Sequence, residues 1–161
     1  MKAIFNGKIV LPDRIEDQKA LLFDRKIIDI VPADQIPENA ERIDAEGNYV
    51  IPGLVDMHIH GYLGEDASDG TFEGIRTMAE GVAKNGVTAF LPTTMTVSYA
   101  ELRAAFEQIR RAKEESAQDS WQGAQILGVN AEGPFINPAK KGAQAGENIR
   151  PGDAKFLEEY L

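Results

Sequence analysis

From Gly53 onward, apolar runs of strand length alternate with segments of helical period, and this alternation narrows the fold more than any other feature of the chain. "LVDMHI" reads as a strand, after which Phe72, Ile75, Ala79 and Val82 recur at helical spacing until Asn85-Gly86, a helix stop. "VTAFLPTT" is the second strand. Ser98 then caps a helix, with Glu101 reaching back in the S-x-x-E arrangement and Leu102, Phe106 and Ile109 forming its apolar stripe. "AQILGVNAEG" is the third strand, "PFINPAKKGAQAGENIRPG" a long loop, and Asp153 the cap of a further helix. Strand centres near residues 56, 89 and 128 predict βα units on a parallel sheet with right-handed crossovers. That means an open doubly wound sheet or a (β/α)8 barrel. Neither a dinucleotide fingerprint nor a phosphate-binding G-x-x-x-x-G-K-[ST] follows any strand, so the nucleotide-binding open sheet has no support. Three strands cannot close a barrel, which takes about 250 residues. The expectation for residues 53–161 is the first three βα units of a (β/α)8 barrel.

Residues 1–52 have a different grammar, that of a small β module. "KAIF", Asn6-Gly7 and "KIVL" predict a hairpin, because Asn and Gly tolerate the positive φ of the favoured turn. "KALLF", Asp24-Arg25 and "KIIDIV" predict another, and "RIDAEGNYVIP" a strand pair around Glu46-Gly47-Asn48.

Composition then restricts the chemistry. The 161 residues include no cysteine, which excludes disulfides and thiolate metal sites and leaves His, Asp and Glu as the strong ligands. Seventeen Lys and Arg against 26 Asp and Glu give a formal charge of −9, with acids spread along the chain. Nucleic-acid binding is thereby disfavoured, since phosphate neutralisation needs clustered cations. The compact basic group, Lys140 and Lys141 with Arg150 nearby, reads as a solvated loop. No apolar run approaches the roughly 18 residues of a membrane span. The start, "MKAIFNGKIVLPDR", lacks the apolar core of a secretory signal, and a cytoplasmic address is expected.

Both histidines of the chain, His58 and His60, lie in "VIPGLVDMHIHG". Separated by two residues on a strand, they point to one side near its C-terminal end, where a barrel of this class builds its active site. An arbitrary H-x-H is more often hydrogen-bonded to backbone; its place at the end of a parallel strand favours metal ligation. Glu132 holds the corresponding position on the third strand, where burial of a carboxylate is costly without a cation or hydrogen bonds. A metal between the first and third strands satisfies it; a loop-facing acid is the alternative. Asp56 shares the orientation of the histidines and is read as structural, with an imidazole-orienting role as the other possibility. Thr93, Thr94 and Thr96 follow the second strand and are read as turn formers.

"VIPGLVDMHIHG" resembles the first-strand signature of the amidohydrolase superfamily, metal-dependent hydrolases on a (β/α)8 barrel with a small β-sandwich beside it. More narrowly, "GVTAFLPTTMT", "AEGPFINPAKKGAQ" and "IRPGD" are similar to the N-acetylglucosamine-6-phosphate deacetylases over nearly the whole chain, "EGPFINPAKKGA" being the most specific stretch. The resemblance implies hydrolysis of the acetamido group to acetate and glucosamine 6-phosphate, with one or two divalent ions, zinc or iron. It implies Glu132 as the third-strand metal ligand and His58 and His60 as a first-strand pair used for a second metal in some members. It also implies Ala143 and Gln144 in the loop that touches the sugar; some members have His where Gln144 stands. The family's later-strand histidines and its aspartate general acid/base have no counterpart here, so the resemblance implies an N-terminal fragment, not active alone, of a parent that is commonly a homodimer. Two other readings stand beside it: an amidohydrolase acting on a cyclic amide or another N-acyl substrate, and a non-catalytic metal-binding protein.

Overall fold

In the computed structural model, which describes residues 1–160, the chain divides after Pro52 into two units. The strands of the first are Lys2–Phe5 (β1), Lys8–Val10 (β2), Ile15–Glu16 (β3), Lys19–Phe23 (β4), Ile27–Pro32 (β5), Glu41–Asp44 (β6) and Tyr49–Val50 (β7). They form two sheets, ordered β5-β4-β1-β6 and β3-β2-β7. The hairpin through Asp24-Arg25 forms as its sequence predicts, β4 pairing antiparallel with β5. The hairpin expected at Asn6-Gly7 does not. There β1 leaves one sheet and β2 enters the other, and the turn Ala45–Asn48 does the same between β6 and β7. The two segments run side by side in parallel, with Lys2 opposite Glu41 and Lys8 opposite Tyr49. Local turn chemistry was therefore read correctly at Asn6, whose φ is 54°, while the partner strand was not. Amides of Ala45 and Gly47 donate to the carbonyls of Phe5 and Asn6, and the Asn6 side-chain amide donates to Asp44, so the turns dock on one another. Gly7 is required by that docking: a Cβ there would lie 2.7 Å from Cβ of Ala45 and 2.8 Å from Cγ2 of Val50. Ala3, Ala20, Leu22, Ile36 and Ala40 form the core of this unit.

The second unit is built on a parallel sheet. Its elements are Leu54–Ile59 (β8), Gly61–Tyr62 (β9), Glu65–Asp66 (β10), Phe72–Ala83 (α1), Val87–Thr94 (β11), Tyr99–Ser116 (α2), Gln125–Ile126 (β12), Asn130–Ala131 (β13) and Ala154–Glu158 (α3). β11 lies at the centre, with β8 on one side and β12 and β13 on the other, all parallel. The third strand expected from "AQILGVNAEG" is thus split in two. Phe90 pairs with Ile126 but Thr93 with Asn130, so one extra residue bulges from the third strand. The interruption falls across from Pro92, which has no N–H to give. A similar shift between Phe90 and Pro92 bulges β8 between Asp56 and Ile59, the stretch that holds His58. Neither β8 nor the third strand has a second partner among the described residues, so the sheet is open on both sides.

Each helix starts where a side chain can accept its free amides. Thr71 Oγ1 accepts from Gly74 N ahead of α1. Ser98 and Glu101 form the full reciprocal capping box ahead of α2: Glu101 N donates to Ser98 Oγ at 3.3 Å and Ser98 N to the Glu101 carboxylate at 2.8 Å. Hydrogen bonds from Ser98 hold the Glu101 carboxyl below its ordinary pKa. Ile75, Met78, Val82, Phe90, Ile109 and Ile126 close the core between the helices and the sheet; each such side chain contributes about 1.5–3 kcal/mol on burial. Leu102 and Phe106 of α2 form a second cluster with Phe156 of α3, on which the Tyr99 ring stacks at 4.2 Å. Among the described residues no helix is long and apolar enough to cross a membrane.

Two outcomes test this account. Ser98→Ala should cost about 1 kcal/mol in urea unfolding and return the Glu101 pKa toward its ordinary value by NMR titration. Because that pKa is lowered on folding, its stabilising effect is complete above the unfolded carboxyl value and is lost as pH falls through the folded one. Gly7→Ala should cost about 1–3 kcal/mol by overpacking and raise amide exchange in residues 1–52 while that of α1 and α2 is unchanged.

Candidate metal centre

Strand parity brings three ligand atoms to one point. His58 comes from the end of β8, His60 from the residue after it and Glu132 from just beyond β13, two strands away across β11. Glu132 Oε2 lies 3.0 Å from Nε2 of each histidine, and the two Nε2 atoms are 3.3 Å apart. Tetrahedral ligation with bonds of about 2.0–2.1 Å separates donor atoms by roughly 3.3 Å, so the cluster has the dimensions of a small divalent-cation site. Side-chain exposures of 55%, 32% and 34% leave it accessible.

The charge pattern fits a cation as well. His60 Nδ1 lies 3.0 Å from the Thr93 carbonyl, which can only accept, so the ring donates there and a neutral His60 presents a lone pair at Nε2. That lone pair faces the Glu132 carboxylate oxygen. Two acceptors turned on each other are favoured by a positive group between them, a role that a divalent ion or a proton of the neighbouring His58 ring can fill. Among the described residues no fourth His, Asp or Glu joins the three.

Backbone constraints hold the ligands in place. The His60 carbonyl accepts from Ala67 N at 2.7 Å, closing the β9–β10 hairpin whose turn residues, Leu63 and Gly64, both have positive φ. Ile59 N donates to Thr93 Oγ1 at 3.1 Å, tying the strand between the histidines to β11. Glu132 is fixed from below: Thr96 Oγ1 donates to its carbonyl at 3.4 Å. A Cβ on Gly133, where φ is 84°, would fall 2.0 Å from that hydroxyl, so glycine is needed for the turn to pass over Thr96.

Other residues singled out in the sequence fall in different places. Asp56 bonds the backbone amide of His58, with Oδ1 at 3.0 Å. Gln144 is 5% exposed, and its Oε1 accepts from Thr96 N at 2.7 Å. Ala143 beside it is exposed. Thr93, Thr94 and Thr96 are all fully buried, and Thr93 and Thr96 brace the ligands instead of merely forming a turn. Sequence reasoning missed Asn130, whose side-chain amide lies 3.4 Å from His58 Nδ1. Its position two residues before Glu132 on the same strand was the available signal. The Thr93 carbonyl, a backbone group, had none.

Comparison with known proteins identifies the family. The chain is 38% identical over 113 residues to the N-acetylglucosamine-6-phosphate deacetylase of Bacillus subtilis, covering 69% of this chain and 28% of that protein. It is 31% identical over 147 residues to an N-acetylgalactosamine-6-phosphate deacetylase of Escherichia coli O157:H7, covering 91% and 37%. The crystal structure of the N-acetylglucosamine-6-phosphate deacetylase of Pasteurella multocida superposes with a TM-score of 0.84 at 30% identity, over 98% of this chain and 41% of that one. The chain therefore spans between about a quarter and two fifths of the length of these relatives. The amidohydrolase family model matches residues 41–128, more than half of the chain and a stretch that includes both histidines. Mixed α/β architecture, divalent-cation donor set and family match coincide, and the chain belongs to the amidohydrolase family.

Proposed function

We propose that this chain is the N-terminal part of a metal-dependent hydrolase that removes the acetyl group of N-acetylglucosamine 6-phosphate, giving glucosamine 6-phosphate and acetate. The observation that carries this reading is the convergence of His58, His60 and Glu132 in a chain that matches deacetylases of this class through both its sequence and its fold. On this reading, residues 53–161 are the first three βα units of a (β/α)8 barrel, and residues 1–52 are part of a small β-sandwich. The two open sides of the sheet support the barrel assignment, since a closed barrel pairs every strand.

His58, His60 and Glu132 would hold the divalent ion, zinc or iron, with capacity for one or two. Bound there, the ion supplies a Lewis acid that polarises an amide carbonyl and acidifies water. The rest of the work belongs to the chain. His60 is held in one orientation by Thr93, the Glu132 carboxylate is aimed at the histidines, and Thr96 braces the Glu132 backbone. Ala143 and Gln144 divide the task in the loop that faces the sugar. Gln144 holds the loop down through Thr96 N, leaving Ala143 as the exposed contact. The aspartate general acid/base that the resemblance implies has no counterpart assigned in this chain, so on this reading the chain holds the ion without turning substrate over. A sugar phosphate is charged and does not cross membranes unaided, which supports a cytoplasmic address.

Calorimetric titration with Zn²⁺ should show binding to the chain. His60→Ala and Glu132→Gln should each weaken it by more than the roughly 10–100-fold typical of losing a mere supporting partner. A longer protein carrying this segment should release acetate from N-acetylglucosamine 6-phosphate faster than from the unphosphorylated sugar or from N-acetylgalactosamine 6-phosphate. Preference for the galacto epimer would reassign the substrate, and no release from either phosphosugar by zinc-loaded protein would refute the deacetylase reading.

A further inference from the structure

The two histidines are supported by chemically different partners. His60 Nδ1 faces the Thr93 carbonyl, a group that can only accept. His58 Nδ1 faces the side-chain amide of Asn130, a group that accepts at Oδ1 and donates at Nδ2. In the structure the nitrogen is turned toward the ring at 3.4 Å, and it also reaches the Met57 carbonyl at 3.4 Å. A ring that accepts at Nδ1 carries its proton on Nε2, and that proton points at Glu132 Oε2, 3.0 Å away. This state is self-consistent, but it occupies the very atom a metal needs. For Nε2 to ligate, the neutral ring must carry its proton on Nδ1, and Asn130 must then present oxygen.

We propose that Asn130 selects the tautomer of His58: with Nδ2 toward the ring it stores the proton on Nε2, and rotated to present Oδ1 it holds the proton on Nδ1 and frees Nε2 for a divalent ion. The proposal rests on the metal-site reading above and goes beyond it by making Asn130 a positioning residue. His60 and Glu132 are ready ligands, whereas His58 becomes one only when the Asn130 amide turns and gives up its bond to the Met57 carbonyl. One proton stays on the ring throughout, exchanging between its nitrogens through solvent.

The chain has two histidines, so long-range ¹H–¹⁵N spectra of the labelled protein resolve both rings without ambiguity. Metal-free protein should show His58 protonated at Nε2 and His60 at Nδ1; with Zn²⁺ added, His58 should switch to Nδ1 while His60 keeps its tautomer. Asn130→Asp can only accept, so it should place the His58 proton on Nδ1 before zinc is added and bind zinc at least as tightly as the wild type. Asn130→Leu should weaken zinc binding about 10–100-fold. If that variant does not fold, the wild-type and Asn130→Asp spectra decide. The proposal is overturned if His58 has the same tautomer with and without zinc, or if Asn130→Asp leaves the metal-free tautomer unchanged. Should the wild type bind no zinc at all, the metal-site reading fails, while the metal-free spectra of wild type and Asn130→Asp still test the role of Asn130.

Discussion

Everything at the site hangs on β11 being paired on both sides. The histidines belong to one of its neighbours and the glutamate to the other, so side chains that are more than 70 residues apart in the chain meet only because a single strand separates them. Adjacent strands lie about 4.7–4.9 Å apart, which sets β8 and β13 roughly 9.5 Å from each other. Imidazole and carboxylate side chains together span that gap only when they lean over the strand between them. Thr93 makes this possible by turning its hydroxyl onto the backbone of β8 and leaving its carbonyl for His60. The middle strand is therefore both spacer and clamp.

Stability around the glutamate is drawn from the helical layer. Phe135, three residues beyond Glu132, packs edge-on against Tyr99 and Phe156, so the loop that leaves the ligand is pinned to the start of α2 and to α3. Loss of solvation, together with the Asp153 carboxylate, pushes the Tyr99 hydroxyl pKa up. Arg103 of α2 lies over the Phe156 ring and pairs with Glu159, tying α2 to the end of α3. Exposed ion pairs of this kind add little individually; the aromatic contacts carry the weight. Phe135 thus anchors the start of the loop to this core cluster.

Much of this was legible in the sequence because it obeys simple periodicities. Strand parity placed His58 and His60 on one side and Glu132 at the matching end, and helical spacing with the S-x-x-E pattern located α1 and α2 and the α2 cap. What escaped was decided by partners distant in the chain. Asn6-Gly7 carries a hairpin signal, yet its strands pair with β4 and β6 on one side of the turn and with β3 and β7 on the other, because a turn sequence specifies local φ and not which strand lies alongside. The split third strand lies across from Pro92 on its neighbour, in a pairing whose flanking registers, Phe90 with Ile126 and Thr93 with Asn130, join positions too distant for any local window. Asn130 was passed over because an amide on a strand has no fixed role until its partner is known. Gln144 reads as a substrate-facing residue in a glycine-rich loop, and the bond its amide oxygen accepts from Thr96 N, 48 positions away, is a partner that no local pattern announces.

Pro92 also bears on how the sheet finds its alignment. Sliding a strand by one residue turns every side chain to the opposite face, and in this unit such an error would send the histidines or the glutamate into the helical layer. A ring nitrogen without hydrogen in the central strand leaves a gap in the ladder toward the third strand, and the extra residue of that strand lies beside it. The imperfection in the ladder thereby serves as a reference mark, and the place of Glu132 beyond it is inherited from that alignment.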